Sequence, residues 1–222
     1  MAMTALITGG ASGIGAALAT QLRAVGWKVY TLDQAANDHP DARQADVRDP
    51  QACIAALDDV PHLDLLVCNA GVMRRGDLFT SAPEDGQLLF DVNVLGTWHV
   101  LRAAAPHLHP QAQVLLVSSG HALDLPANPG LYGLTKWTLL GLARLLQTTR
   151  PTWTVKVVCP GPIDTPLAFV QLTAEQAEQK RATLRSPEEL AQKIVTLISG
   201  EDRALIFHAE RWTEEFSPQL PA

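Results

Sequence analysis

The chain is short of cysteine, of charge and of basic runs, and each shortage removes a class of protein. Only Cys53, Cys68 and Cys159 occur, singly and inside apolar stretches with no CxxC pair. Neither a disulfide framework nor a thiolate metal site is encoded, and a reducing, cytoplasmic setting is expected. Charged residues make up 18% of the 222 positions, the formal net charge is -6, and no Lys/Arg cluster stands at either end. Such a chain has nothing with which to neutralise nucleic acid or an anionic membrane, so neither is expected as a partner. No apolar run approaches the roughly 18 residues of a membrane helix. The start, MAMTALITGG, also lacks the basic residues and cleavage site of a secretory signal. Without a repeat, low-complexity tract or linker, a single domain over 1–222 is expected. What is plentiful is hydrophobic residues, at 47%, enough for a globular core.

Short Leu-rich or β-branched runs recur at Ala5 to Thr8, Lys28 to Leu32, Leu63 to Asn69, Val114 to Ser118, Thr154 to Cys159 and Ala204 to Phe207, mostly separated by helical periodicity. Strands this continuously apolar are covered on both faces, which predicts an α/β fold: a three-layer doubly wound parallel sheet of Rossmann type. Helix starts are written at Asp49-Pro50 and, with capping-box spacing, at Ser81 and Glu84, Thr173 and Gln176, and Ser186 and Glu189. Twelve residues separate Asp33 from Asp46, the expected end of the third strand, and they include Asn37, Asp38, His39 and Pro40. A loop or single turn is predicted there in place of a crossover helix.

The first strand runs straight into Thr8-Gly9-Gly10-Ala11-Ser12-Gly13-Ile14-Gly15, followed by Leu18, Leu22 and Val25 on one helical face. A glycine-rich turn lets backbone approach a pyrophosphate, and the helix start adds free N–H groups and a favourable dipole. Gly9, Ser12, Gly13, Ile14 and Gly15 are therefore candidate cofactor residues. Asp33, about twenty residues on, can accept hydrogen bonds from the adenosine ribose, and its charge repels a 2'-phosphate, so NAD is expected over NADP.

The glycine spacing GxxxGxG and a series of motifs in the same chain order resemble the short-chain dehydrogenase/reductase family from Thr8 to about Ser199. Asp46-Val47 matches the family's adenine-contacting pair, Asn69-Ala70-Gly71 its NAG segment, and Asn93 the asparagine of its long central helix. Ser119, Tyr132 and Lys136 match its catalytic trio, with the serine thirteen positions before the tyrosine. Pro160, Gly161, Ile163 and Thr165 match its PG motif, whose isoleucine backbone and threonine hydroxyl the resemblance assigns to the nicotinamide carboxamide. It also implies that Asn93 positions a water linking Lys136 to solvent.

Tyr132 and Lys136, four apart, project from one helix face. An ammonium beside the hydroxyl should lower the phenol's pKa and make Tyr132 a general acid and base, with Ser119 bonding the reacting oxygen and Lys136 and Tyr132 also touching cofactor. Each residue also has a plain packing or capping reading: Asp46 as a loop cap, Thr165 as a turn cap, Asn93 as a backbone-bonded helix residue.

Substrate contacts are expected from His121, Leu123 and Asp124, from Val72, Met73 and Arg74, and from a lid at Pro166 to Arg185 with an apolar inner face carrying Leu167. A small, largely apolar secondary alcohol or ketone is predicted. His107 and His109 have HxH spacing without a third ligand, so no metal is expected and a helix-end loop explains them. Ser119, His121 and Asp124 lack a nucleophile elbow, which disfavours a hydrolase. A helix from Tyr132 to Leu146 that is apolar almost all round predicts a homodimer or homotetramer. The tail RALIFHAERWTEEFSPQLPA lacks the family's glycine pair, leaving its architecture open. The rival reading is a nucleotide-sensing regulatory protein that keeps the cradle without turnover.

Overall fold

The computed structural model describes residues 2–208 and 213–221. Its strands are β1 (Thr4–Thr8), β2 (Lys28–Asp33), β3 (Ala42–Gln44), β4 (Leu63–Cys68), β5 (Leu108–Val117), β6 (Thr154–Cys159), β7 (Ala204–His208) and β8 (Thr213–Ser217). They form one sheet in the order β3-β2-β1-β4-β5-β6-β7-β8, in which only the β7–β8 pairing is antiparallel. The helices are α1 (Gly13–Ala24), α2 (Pro50–Ala55), α3 (Pro83–Phe90), α4 (Thr97–Ala104), α5 (His121–Asp124), α6 (Gly130–Thr149), α7 (Ala174–Arg181) and α8 (Pro187–Ser199). No helix intervenes between β2 and β3, and Asp46 lies two residues beyond β3.

Alternate residues of the central strands feed two cores. Leu6, Leu66, Val114 and Leu116 pack on one face with residues of α4 and α6. Ala5, Ile7, Leu65, Val67 and Leu115 pack on the other with α1 and α8. With both faces covered, every strand position is selected for burial, and the period-2 alternation disappears from the sequence. This is the expected three-layer α/β architecture. No helix among the described residues is long and apolar enough to cross a membrane.

Local signals placed three helix starts. Asp49 caps α2 by accepting from the N–H groups of Gln51 and Ala52, Thr173 and Gln176 close a full capping box on α7, and Ser186 accepts from Glu189 N–H. Ser81 is a correction: α3 starts at Pro83 behind Ala82, and the Ser81 hydroxyl donates to the Asp77 carbonyl at 2.7 Å. The expected helix-end loop at His107 and His109 is also shorter than read. His107 Nδ1 meets the Val60 carbonyl at 2.9 Å, while His109 already belongs to β5.

The strand order reverses between β1 and β4, opening a crevice beyond their carboxyl ends where ligands of such sheets bind. Past β7, β8 pairs antiparallel and forms that edge of the sheet.

Candidate functional site

A cavity of about 1350 Å³ follows this crevice from Asp33 and Asp46 past the ends of β1, β4, β5 and β6 to Phe207 and His208. At its centre Gly9 and Gly13 adopt φ of +67° and +54°, which side chains resist. A Cβ on Gly9 would stand 2.8 Å from Asn69 Nδ2, and one on Gly13 2.9 Å from Thr165 Cγ2. Ser12 makes no side-chain cap on α1, whose first turn has no acidic residue. The free N–H groups and dipole of that end thus face the cavity uncompensated, as an anion requires.

Gly15 is a correction, because it does not line the cavity: its would-be Cβ lies 2.2 Å from the Gly9 carbonyl, so it serves close packing of the turn. Asn69 lines the wall, and its Nδ2 braces the turn, donating to the carbonyls of Thr8 at 2.9 Å and Gly9 at 3.2 Å. The Thr8 hydroxyl accepts from the N–H groups of Asn69 and Ala70, both at 3.0 Å, and ties the ends of β1 and β4 together. Nothing in the sequence marks that threonine apart from its place before the glycines.

Asp33 lines the cavity and accepts from Ala11 N–H and Ala35 N–H, both at 3.0 Å, which orients its carboxylate and leaves lone pairs over. Asp46 is gripped by Arg48, whose Nε lies 2.9 Å from Oδ2; this bonding holds its carboxyl below the usual range against the opposing effect of burial. Val47, Ala70, Gly71, Pro160, Gly161, Ile163 and Thr165 all lie on the wall. Thr165 precedes a 3-10 turn at Pro166–Phe169 without capping it through its side chain. The glycine turn, the open helix end and the ribose-height carboxylate fit a dinucleotide.

Ser119, Tyr132 and Lys136 meet on the same wall. Tyr132 is 5% exposed and Lys136 4%. The Lys136 ammonium donates to the Val117 carbonyl at 3.0 Å and lies 5.9 Å from the Tyr132 ring centroid. Burial pushes the phenol up to about 12, opposed by a hydrogen bond with Ser119, and lowers the ammonium to about 8. The fall expected from the ammonium is therefore reversed: withdrawal from water outweighs the Ser119 hydrogen bond that favours phenolate.

Asn93 does not line the cavity. It sits fully buried in a π-helical stretch, Asp91–Gly96, between α3 and α4. Its Oδ1 accepts from Val72 N–H at 2.8 Å, and its Nδ2 donates to the Val72 carbonyl and the Thr135 hydroxyl, both at 3.0 Å. Thr135 in turn donates to the Tyr132 carbonyl at 2.8 Å. The side chain therefore fastens the segment after Gly71 to the start of α6.

His121, Leu123, Met73 and Leu167 line the remaining end, joined by Phe207 and His208, which the sequence does not single out. The Phe207 ring lies where a Cβ on Gly161 would be, 2.5 Å away. Burial holds the His121 imidazole below its usual pKa, while Asp124, 3.7 Å away, opposes. Ser119 Oγ accepts from the backbone N–H of His121 at 3.2 Å, and the His121 ring stands edge-on to Tyr132. The lid's apolar face lies on the 3-10 turn and Val170 just after it, since α7 buries no residue.

A family model described as short chain dehydrogenase matches residues 3–177. A 3-dehydrosphinganine reductase of Arabidopsis thaliana is 33% identical over 162 residues; the match covers 64% of this chain and 50% of that relative, so the chain spans about half its length. The oxidoreductase UcpA of Escherichia coli is 32% identical over 187 residues, 74% of this chain and 71% of the relative. Among solved structures, a 3-ketoacyl-(acyl-carrier-protein) reductase from Brucella melitensis complexed with NADH superposes with a TM-score of 0.77 at 25% identity, covering 88% of this chain and 90% of that one. A short chain dehydrogenase from Burkholderia cenocepacia in complex with NADP gives 0.73 at 30% identity, covering 88% and 90%. Matched by that model over most of its length and sharing the fold of these enzymes, the chain belongs to the short-chain dehydrogenase family.

Proposed function

We propose that this oxidoreductase is an NAD-dependent alcohol dehydrogenase and carbonyl reductase, with Tyr132 as general acid and base toward a small, largely apolar secondary alcohol or ketone. The observation that carries the reading is the meeting of a buried Tyr132 hydroxyl, its Ser119 partner and the Lys136 ammonium on the wall of the cavity that also holds the glycine turn. Gly9, Ser12, Gly13 and Ile14 would hold the cofactor's pyrophosphate, Asp33 its ribose, Val47 its adenine, and Ile163 and Thr165 its carboxamide. When bound, the nicotinamide supplies the hydride chemistry.

Ser119 bonds the reacting oxygen, and the Tyr132 phenol gives that oxygen its proton in reduction or takes it back in oxidation. The neutral phenol that burial favours is the donating form, which suits reduction. Lys136 places positive charge in the same pocket and so eases the phenolate needed for oxidation. A panel of secondary alcohols and ketones, followed by NADH absorbance, tests the reading. Tyr132→Phe should lower kcat by roughly a hundred- to ten-thousand-fold; undiminished turnover in that variant would refute the assignment, as would ester cleavage without nicotinamide.

The preference for NAD rests on Asp33, since a 2'-phosphate there would meet a carboxylate while the nearby Arg48 is already paired with Asp46. Relatives bind either cofactor, so kinetics with both decide: a higher kcat/KM with NADP overturns the argument. We extend the reading to assembly. Leu134, Trp137 and Leu145 of α6 are exposed, as are Leu95 and Trp98 of the helix packed beside it, and this apolar face fits a second copy. A single-chain mass by sedimentation would remove that part.

A further inference from the structure

We infer that Lys180, carried to the substrate end of the cavity by α7, binds an anionic group, carboxylate or phosphate, on a hydroxy or keto substrate whose body is otherwise apolar. The inference rests on the hydride-transfer reading above and narrows its substrate class. Lys180 lines the cavity beside Met73, Leu167 and Val170. Its ammonium has no hydrogen bond or ion pair among the described residues, whereas the next residue, Arg181, pairs with Glu178 at 3.9 Å and lies over the Phe169 ring.

Behind it stands a second cation. The Arg75 guanidinium donates to the carbonyls of Val170 at 3.0 Å and Ala168 at 3.2 Å and meets no carboxylate among the described residues. Arg75 and Lys180 are close enough to repel, and that repulsion adds to burial in holding the Lys180 ammonium below its ordinary pKa. The acids nearby are already committed: Asp85 takes Arg74 at 2.9 Å, and Asp124 faces His121 at 3.7 Å. Counting Lys180 and Arg75 against Asp124 leaves this end with an excess of one positive charge.

Two half-buried cations that repel each other and pair with no carboxylate among the described residues favour an anion that joins them, and the surrounding apolar wall strengthens that attraction. The lysine is also held in place. Its helix begins with a closed capping box, and the loop before it is pinned by Arg75 N–H donating to Gln171 Oε1 at 2.6 Å. A charge serving only the carboxyl end of α7 would add stability and no discrimination between ligands.

Calorimetric titration of the full chain, with and without saturating NADH, using hexanoate, hexyl phosphate and hexanol tests this. One anion or the other should bind about tenfold more tightly than the neutral alcohol, and the tighter of the two identifies the head group. Lys180→Gln should erase the difference, while Arg181→Gln, one position along the same helix, should retain it. Equal binding of all three probes, or a preference that survives Lys180→Gln, would overturn the inference. Absence of turnover on every alcohol and ketone would remove the hydride-transfer reading and leave this binding result standing, so the two failures are distinguishable.

Discussion

Lys136 and Lys156 are both withdrawn from water, at 4% and 1% exposed, yet the two sites use the ammonium differently. Lys156 projects from β6 toward α8, where its three protons meet the carbonyls of Leu197 at 2.7 Å, Gly200 at 2.7 Å and Asp202 at 2.8 Å. It closes the carboxyl end of α8, whose last carbonyls have no partner within the helix. Lys136 spends one proton on Val117 and its ammonium makes no other hydrogen bond among the described residues, leaving donors directed to a wall it shares with Tyr132. Both ammonium groups are held below the ordinary lysine pKa by burial. Burial and pKa alone therefore do not separate a structural lysine from one available for chemistry; unspent donors facing a cavity do.

The largest expected effect is on turnover. Lys136→Met should lower kcat by roughly a hundredfold or more while leaving the melting temperature near that of the parent, because it removes a buried charge along with its one hydrogen bond. Retained turnover in that variant would break the contrast. Next comes stability: Lys156→Met strands three carbonyls and should cost about 2–4 kcal/mol in urea unfolding, with kcat per folded molecule unchanged. A stable Lys156→Met protein would make that lysine ornamental.

The smallest effect is a pH dependence. Lys136 titrates near 8 in the native chain against 10.5 when unfolded, so between these values the unfolded chain binds more protons and stability rises with pH. Its contribution should reach about 2 kcal/mol between pH 8 and 10. Below pH 8 the full cost of burying the charge remains. Lys136→Met should flatten this rise, and an unchanged slope would show that the ammonium is not the group responsible.

What could be read from residues was local. The turn from Thr8 to Gly15, the caps at Asp49, Thr173 and Ser186, and the strands covered on both sides each depend on neighbours a few positions away. Ser81 misled because the serine-to-glutamate spacing was present while Pro83 set the helix start and Asp77 took the hydroxyl. β8 went unread because Thr213–Ser217 pairs on one side only, at the sheet edge, where no apolar run is demanded. Asn93 and Asn69 are legible as motif residues, whereas their bonding to Val72 and to the glycine turn involves partners 21 to 61 positions away.

By itself the sequence determined the layered α/β architecture, the glycine turn and the chemical identity of the trio, since strand burial, positive φ and helix periodicity act over short stretches of chain. Only the tertiary structure decided the direction in which the Tyr132 pKa moves, the difference between Lys136 and Lys156, and the meeting of Lys180 with Arg75 across more than a hundred positions. Those depend on how far water is excluded and on which charges feel one another, and both are set by packing between segments that are remote along the chain.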